Sequence, residues 1–153
     1  MNNPLLPLRL KRLRNSHTAR LMVRETDLLP RNFIAPLFIN ENLTENREIQ
    51  SMPGQYQLSL AYLSREIELL SSLNIPAVLL FGIPKYKDET GSASLESTGI
   101  IQQAIRQIKQ VNPELLVITD VCFCEYTSHG HCGILRHDKI DNDKTLDYLG
   151  KQA

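Results

Sequence analysis

Pro76-Ala-Val-Leu-Leu-Phe-Gly82 is an apolar run without alternation, the pattern of a strand covered on both faces. Such strands belong to parallel sheets, where crossover helices lie on the sheet faces. The segment just before it supplies one such helix. From Ser59 to Leu73 the apolar residues Leu60, Leu63, Ile67, Leu70 and Leu73 recur every three or four positions, with Arg65, Glu66 and Glu68 on other faces. Asn74 then stops the helix. Further upstream, Asn32-Phe-Ile-Ala-Pro-Leu-Phe-Ile39 has strand length and predicts a first strand bulged at Pro36. The polar stretch from Asn40 to Tyr56, with its Met52-Pro-Gly54 turn signal, reads as loop.

Downstream the alternation repeats. Pro84 to Thr98 is polar, and Ser97 or Thr98 is placed to cap a helix whose stripe is Ile101, Ala104, Ile105, Ile108 and Val111. Asn112-Pro113 ends it, and Leu115-Leu-Val-Ile-Thr119 is a third strand. A loop of about 20 residues follows, after which Asn142 or Asp143 caps a last helix through Leu146 and Leu149. Strands begin near positions 33, 77 and 115, a period of about 40 residues. Parallel strands with right-handed crossovers give either a doubly wound sheet or a (β/α)8 barrel. Eight units of this size need roughly 320 residues, within the barrel range. The 153 residues hold three units, so the expectation is the first part of a larger domain, with a small three-strand fold as the alternative.

Composition narrows the function classes. Hydrophobic residues make up 42% of the chain and charged residues 22%, enough for one core and unlike a disordered tail. Seventeen Lys plus Arg balance seventeen Asp plus Glu, which argues against a nucleic-acid partner for the chain as a whole. Apolar runs are far shorter than the roughly 20 residues that span a bilayer, so no membrane partner is expected. The N-terminus reverses the charge order of a secretory signal, and the expected location is cytoplasmic. Met1 to Arg24 nevertheless carries six basic residues and no acidic one, densest at Arg9-Leu-Lys-Arg-Leu-Arg14. That stretch suits a solvated arm, with an anionic surface or a mitochondrial presequence as functional alternatives. Ser16 can cap a helix from His17 to Glu25, and Leu21, Met22 and Leu28 offer an apolar edge to another surface.

The chemistry is concentrated in Asp120-Val-Cys122-Phe-Cys124-Glu-Tyr-Thr-Ser-His129-Gly-His131-Cys132-Gly133, at the end of the third strand. In parallel α/β folds that is where sites are built. All three cysteines of the chain are here, an odd and crowded number that suits metal or redox chemistry better than a disulfide framework. Cys122 and Cys124 point the same way from an extended backbone, and Gly130 and Gly133 let the loop fold back to bring in Cys132. Three thiolates fit zinc with an open position, the arrangement of a catalytic ion. His129 or His131 could instead close the site as a fourth ligand, or the three thiols could be free. A Cys122–Cys124 disulfide is disfavoured by geometry, and a redox role lacks the Cys-X-X-Cys spacing. Asp120 could orient an amine, assist proton transfer, support the ligands or simply cap a loop. A second rim loop, Lys85-Tyr-Lys-Asp-Glu-Thr-Gly-Ser92, reads by itself as a solvated turn rather than a binding loop. No Walker loop, dinucleotide glycine fingerprint or nucleophile elbow occurs.

The stretch from Asp120 to Gly133 resembles the zinc motif of the porphobilinogen synthases, the delta-aminolevulinic acid dehydratases, of the bacterial zinc-using type. The resemblance extends to Lys87-Asp-Glu-Thr-Gly-Ser92, Ser51-Met-Pro-Gly54, Asn142-Asp143 with Thr145-Leu146, and the Arg9 to Arg14 run. It implies a (β/α)8 TIM barrel whose first three β/α units are residues 32–153, preceded by an N-terminal arm, residues 1–31, for subunit assembly. It implies condensation of two 5-aminolevulinate molecules into porphobilinogen with loss of two waters, in a homo-octamer. It also implies Cys122, Cys124 and Cys132 as Zn2+ ligands and Asp120 as an active-site carboxylate. A further Mg2+ site occurs in some of the family, on later residues. Two Schiff-base lysines of the family lie on later strands, and Lys85, Lys87, Lys139, Lys144 and Lys151 fall in polar loops or on an exposed helix. The chain alone is therefore expected to be an inactive fragment. The alternative is a non-catalytic zinc-binding or subunit-interaction module.

Overall fold

The structure is a computed structural model that describes residues 11–153. Arg9 and the rest of residues 1–10, on which the arm and basic-run expectations partly rest, lie outside the described residues. Ser16 caps α1 (His17–Met22), its hydroxyl accepting the Ala19 N–H at 3.0 Å. The helix stops three residues short of the expected Glu25. None of its residues is buried, and a helix this short has little stability without packing. Leu21, Met22 and Leu28 are all exposed.

The chain then enters β1 (Ile34–Asn40), followed by β2 (Arg47–Glu48), β3 (Tyr56–Leu58), α2 (Leu60–Ser72), β4 (Ala77–Ile83), α3 (Ile100–Val111) and β5 (Leu116–Thr119). These strands form one sheet in the order β2-β3-β1-β4-β5. β1 and β4 run parallel from Ile34 opposite Ala77 to Asn40 opposite Ile83, and β4 and β5 from Ala77 opposite Leu116 to Leu80 opposite Thr119. The three expected strands and the parallel sheet are thus as the apolar runs require.

Two details differ. The register of β1 on β4 is continuous through Pro36, without a bulge. β3 reaches only Phe38 and Ile39 on the other side of β1, so Pro36 sits where that side has no strand partner and a missing N–H is tolerated. The stretch read as loop from Asn40 to Tyr56 contains a short hairpin instead, with Arg47 opposite Gln57 and Glu48 opposite Tyr56. The Pro-Gly turn closes it. Ile49 N–H donates to the Gln55 carbonyl at 2.8 Å, and Gln55 N–H to the Met52 carbonyl at 2.9 Å.

α2 and α3 cover one face of the sheet. Leu63, Ile67 and Leu70 from α2 and Ile100, Ala104 and Ile108 from α3 pack on Leu37, Ile39, Val78 and Leu80, all of them buried. Leu73, expected on the buried stripe, is 53% exposed because α2 ends there and Asn74 turns the chain away with φ +57°. α3 starts later than expected, with Gly99 rather than Ser97 or Thr98 at its N-cap. The Gly99 N–H is engaged by the Glu96 carbonyl at 2.9 Å, so the turn from Glu96 to Gly99 sets the start.

After β5, residues 120–134 form the thiol loop, then β6 (Leu135–Arg136) and β7 (Lys139–Ile140) pair as a small hairpin before α4 (Asn142–Gln152). This hairpin lies within what the sequence offered as plain loop. Asp141 caps α4, its Oδ1 accepting the Lys144 N–H at 3.1 Å, one position ahead of the expected Asn142 or Asp143. The hairpin fixes that position, because Asp141 N–H also donates to the Ile134 carbonyl at 2.8 Å. No helix among the described residues is long and apolar enough to cross a membrane.

Candidate metal centre

Asp120 stands at the C-terminal tip of β5, half-buried, its N–H continuing the ladder to the Leu80 carbonyl at 3.3 Å. The backbone that follows is not the extended segment expected for Cys122 and Cys124. It bends at Phe123, whose carbonyl accepts the N–H groups of Tyr126 at 2.9 Å and Thr127 at 2.8 Å. The Phe123 ring is fully buried and meets Tyr148 of α4 edge-on, centroids 6.3 Å apart. With the phenyl driven inward, the flanking sulfurs end up together, Cys122 Sγ to Cys124 Sγ being 3.4 Å. Gly130, at φ +73°, takes the left-handed conformation that reverses the loop and returns Cys132 to the pair. The three sulfurs lie within 4.8 Å of one another, and all three cysteines are free.

Neither histidine joins this group. His129 Nδ1 accepts the His131 N–H at 3.1 Å, which leaves the proton on Nε2 to donate to the Glu89 carbonyl at 3.1 Å. His131 is exposed, its ring 5.5 Å from that of His129. Among the described residues the group that comes together is the three sulfurs, with neither histidine among them.

The rim loop from Lys85 to Ser92 is not a free solvated turn. Asp88 Oδ1 accepts the N–H groups of Thr90 and Ser92, each at 3.0 Å, and Oδ2 accepts the Ser92 hydroxyl. The Ser92 hydroxyl and N–H together hold the Asp88 carboxyl down to about 2. Its backbone pairs with the thiol loop, Asp88 bridging to Thr127 and its carbonyl accepting the Ser128 N–H at 2.8 Å. Gly91, at φ +64°, lies so close to Phe123 that a Cβ there would sit 3.0 Å from the ring. This loop braces the site.

Burial raises the Cys124 thiol to about 12, helped by its hydrogen bonds to Cys122 and Cys132 and by their charges. Cys132 is raised as well, chiefly through Cys122. Cys124 and Cys132 therefore resist ionising until a cation shares the space, and a cluster of sulfurs is the donor chemistry of a soft divalent ion. The residues present fit such an ion.

Sequence reasoning missed Glu125. Its carboxyl is raised by burial and by the charge of Asp120, while Lys87 lowers it, so the loop carries a second carboxylate beside Asp120. Only its place next to Cys124 could have suggested it. Lys85, Lys87, Lys139, Lys144 and Lys151 are all exposed, and none lies in a desolvated pocket.

A parallel β/α sheet with a three-sulfur cluster at the C-terminal end of its strands defines an α/β domain with a site able to take a metal. The chain belongs to the delta-aminolevulinic acid dehydratase family, whose family model matches residues 7–153. It is 54% identical over 146 residues to the delta-aminolevulinic acid dehydratase of Helicobacter pylori, covering 95% of this chain and 45% of that protein. The corresponding protein of Ruminiclostridium josui is 50% identical over 143 residues, covering 94% of this chain and 70% of its own length. A solved delta-aminolevulinic acid dehydratase (porphobilinogen synthase) from Toxoplasma gondii ME49, in complex with the reaction product porphobilinogen, superposes with a TM-score of 0.90 at 33% identity. That match covers 99% of this chain and 46% of the solved one. The chain thus spans about half the length of most of these relatives, and its sheet corresponds to part of a barrel.

Proposed function

We propose that this chain is the metal-carrying part of a porphobilinogen synthase, which condenses two 5-aminolevulinate molecules into porphobilinogen and two waters in tetrapyrrole synthesis. The observation that carries the reading is the convergence of Cys122, Cys124 and Cys132 at the C-terminal end of the parallel strands, in a chain of this family. These three residues would hold Zn2+, which suits sulfur donors better than magnesium does. When bound, the ion supplies Lewis acidity for polarising a substrate carbonyl or amine.

The chain's own residues do the rest of the local work. Asp120, at the strand tip, orients a substrate amine or takes its proton on a carboxylate oxygen. The bend at Phe123 brings the sulfurs of Cys122 and Cys124 to 3.4 Å. Residues 1–31 form an assembly arm for a homo-oligomer, an octamer by family resemblance, and the exposed Leu21, Met22 and Leu28 support that role. Residues 32–153 are the barrel part. The protein works in the cytoplasm.

No lysine here is desolvated enough to form a Schiff base, so the 153 residues alone form no product. The test is a porphobilinogen assay on the reading frame carried through and beyond codon 153, with and without a zinc chelator. Chelator-sensitive product from the continuing frame supports the proposal. Product from the 153 residues alone, or none from a frame that continues through lysine-bearing strands, overturns it.

A further inference from the structure

The three sulfurs are drawn together over a gap of seven residues between Cys124 and Cys132. Cys132 is the exposed member of the set, so its own packing does not explain its position. Two buried threonines do. Thr127 is 1% exposed and works in both directions. Its N–H donates to the Phe123 carbonyl at 2.8 Å, between Cys122 and Cys124, while its hydroxyl donates to the His131 carbonyl at 3.0 Å, one peptide ahead of Cys132. Thr145 of α4 holds the other side. Its hydroxyl accepts the Ile134 N–H at 3.0 Å and donates to the Asp141 carbonyl at 2.7 Å. Gly133, between Cys132 and Ile134, is pressed on the same side chain, since a Cβ there would lie 2.8 Å from the Thr145 hydroxyl oxygen.

We infer that Thr127 and Thr145, neither of them a ligand, position Cys132 against Cys122 and Cys124 and so set how tightly the site takes a metal ion. The inference rests on the metal reading above and assigns the residues that preorganise it. A loop already closed before the ion arrives loses less conformational freedom on binding, and partners outside the ligand set are worth about 10–100-fold in affinity at comparable sites. The hydroxyls matter, rather than the methyls. Valine has nearly the shape of threonine and lacks only the hydrogen bond.

The test is a titration of the full 153-residue chain, reduced and free of oxygen, with cobalt(II) read by its thiolate charge-transfer band and with zinc read by chelator competition. Melting temperatures are taken without metal. Thr127→Val is expected to weaken zinc binding about 10–100-fold and to lose the part of the band that the third sulfur gives, with Thr127→Ser restoring both. Thr145→Val shifts both readouts the same way, and decides the matter if Thr127→Val does not fold. Valine variants with lower melting temperatures but unchanged affinity and band would make the threonines merely structural and overturn the inference. A native chain that takes up neither metal would overturn the metal reading itself, and this inference with it.

Discussion

The sheet-and-helix body and the thiol loop are held by different forces. In the body, Leu63, Ile67, Ile100, Ala104 and Ile108 cover Ile39, Val78 and Leu80, and shape-filling burial of apolar surface does the work. In the loop, buried apolar side chains are few (Phe123, the innermost, with Tyr126 and Ile134), and polar ties do the joining: Asp88 to Thr90 and Ser92, Thr127 to His131, Thr145 to Ile134, and Gln152 to the Cys122 carbonyl at 3.3 Å. Burial tolerates many side chains of the right size, whereas hydrogen bonds fix direction. A site that must bring three sulfurs within 4.8 Å is accordingly built from the second kind, standing on the first.

The largest effect should come from the innermost ring. Phe123→Ala is expected to cost about 3–5 kcal/mol, and to speed the reaction of Cys122 and Cys124 with a thiol reagent well before the body unfolds. Thiol reactivity that rises only with global melting would make loop and body one unit and erase the distinction. Ile67→Ala, in the body, should cost about 2–5 kcal/mol in denaturant unfolding while leaving thiol reactivity under native conditions near its original rate. A selective rise in that rate would place the loop's support in the helix layer instead.

Smaller changes sharpen the comparison. Gly91→Ala puts a side chain at φ +64° and against the Phe123 ring, for a cost of about 1–3 kcal/mol in thermal melting. An unchanged melt would mean that the rim loop does not brace the site. Asp88 should give the smallest effect, because much of its charge faces water. Its carboxyl is lowered from 3.8 to about 2, so its contribution is complete above the ordinary carboxylate value and fades as pH falls through about 2. Acid titration of the native chain against Asp88→Asn should show the two stabilities converging over that window; parallel curves would contradict the assignment.

The same contrast explains what could be read from the sequence. Burial leaves a helical period or an unbroken apolar run, so α2, α3, β1, β4 and β5 are legible in the sequence, with errors confined to helix ends, Leu73 and Pro36. The hairpins were not. β2, β6 and β7 have two residues each, too few to alternate, and the β6–β7 turn uses His137 and Asp138 at φ +51° and +59°, where Asn-Gly would have been the recognisable signal. In the site, the three cysteines announced themselves by crowding. Thr127, Thr145 and Asp88 did not, since a threonine or aspartate in a loop acquires its role only from the carbonyl or N–H that the fold sets beside it. The bend at Phe123 escaped for the same reason: an isolated phenylalanine between cysteines does not say which way it turns.

The most direct test of the account is the zinc content of the purified, reduced chain, measured by atomic emission beside Cys132→Ser. The account predicts about one zinc per native chain and a large loss of metal in the variant. A native chain that stays free of zinc after reconstitution, or a variant that holds it equally well, would contradict the claim that these three sulfurs form one metal centre.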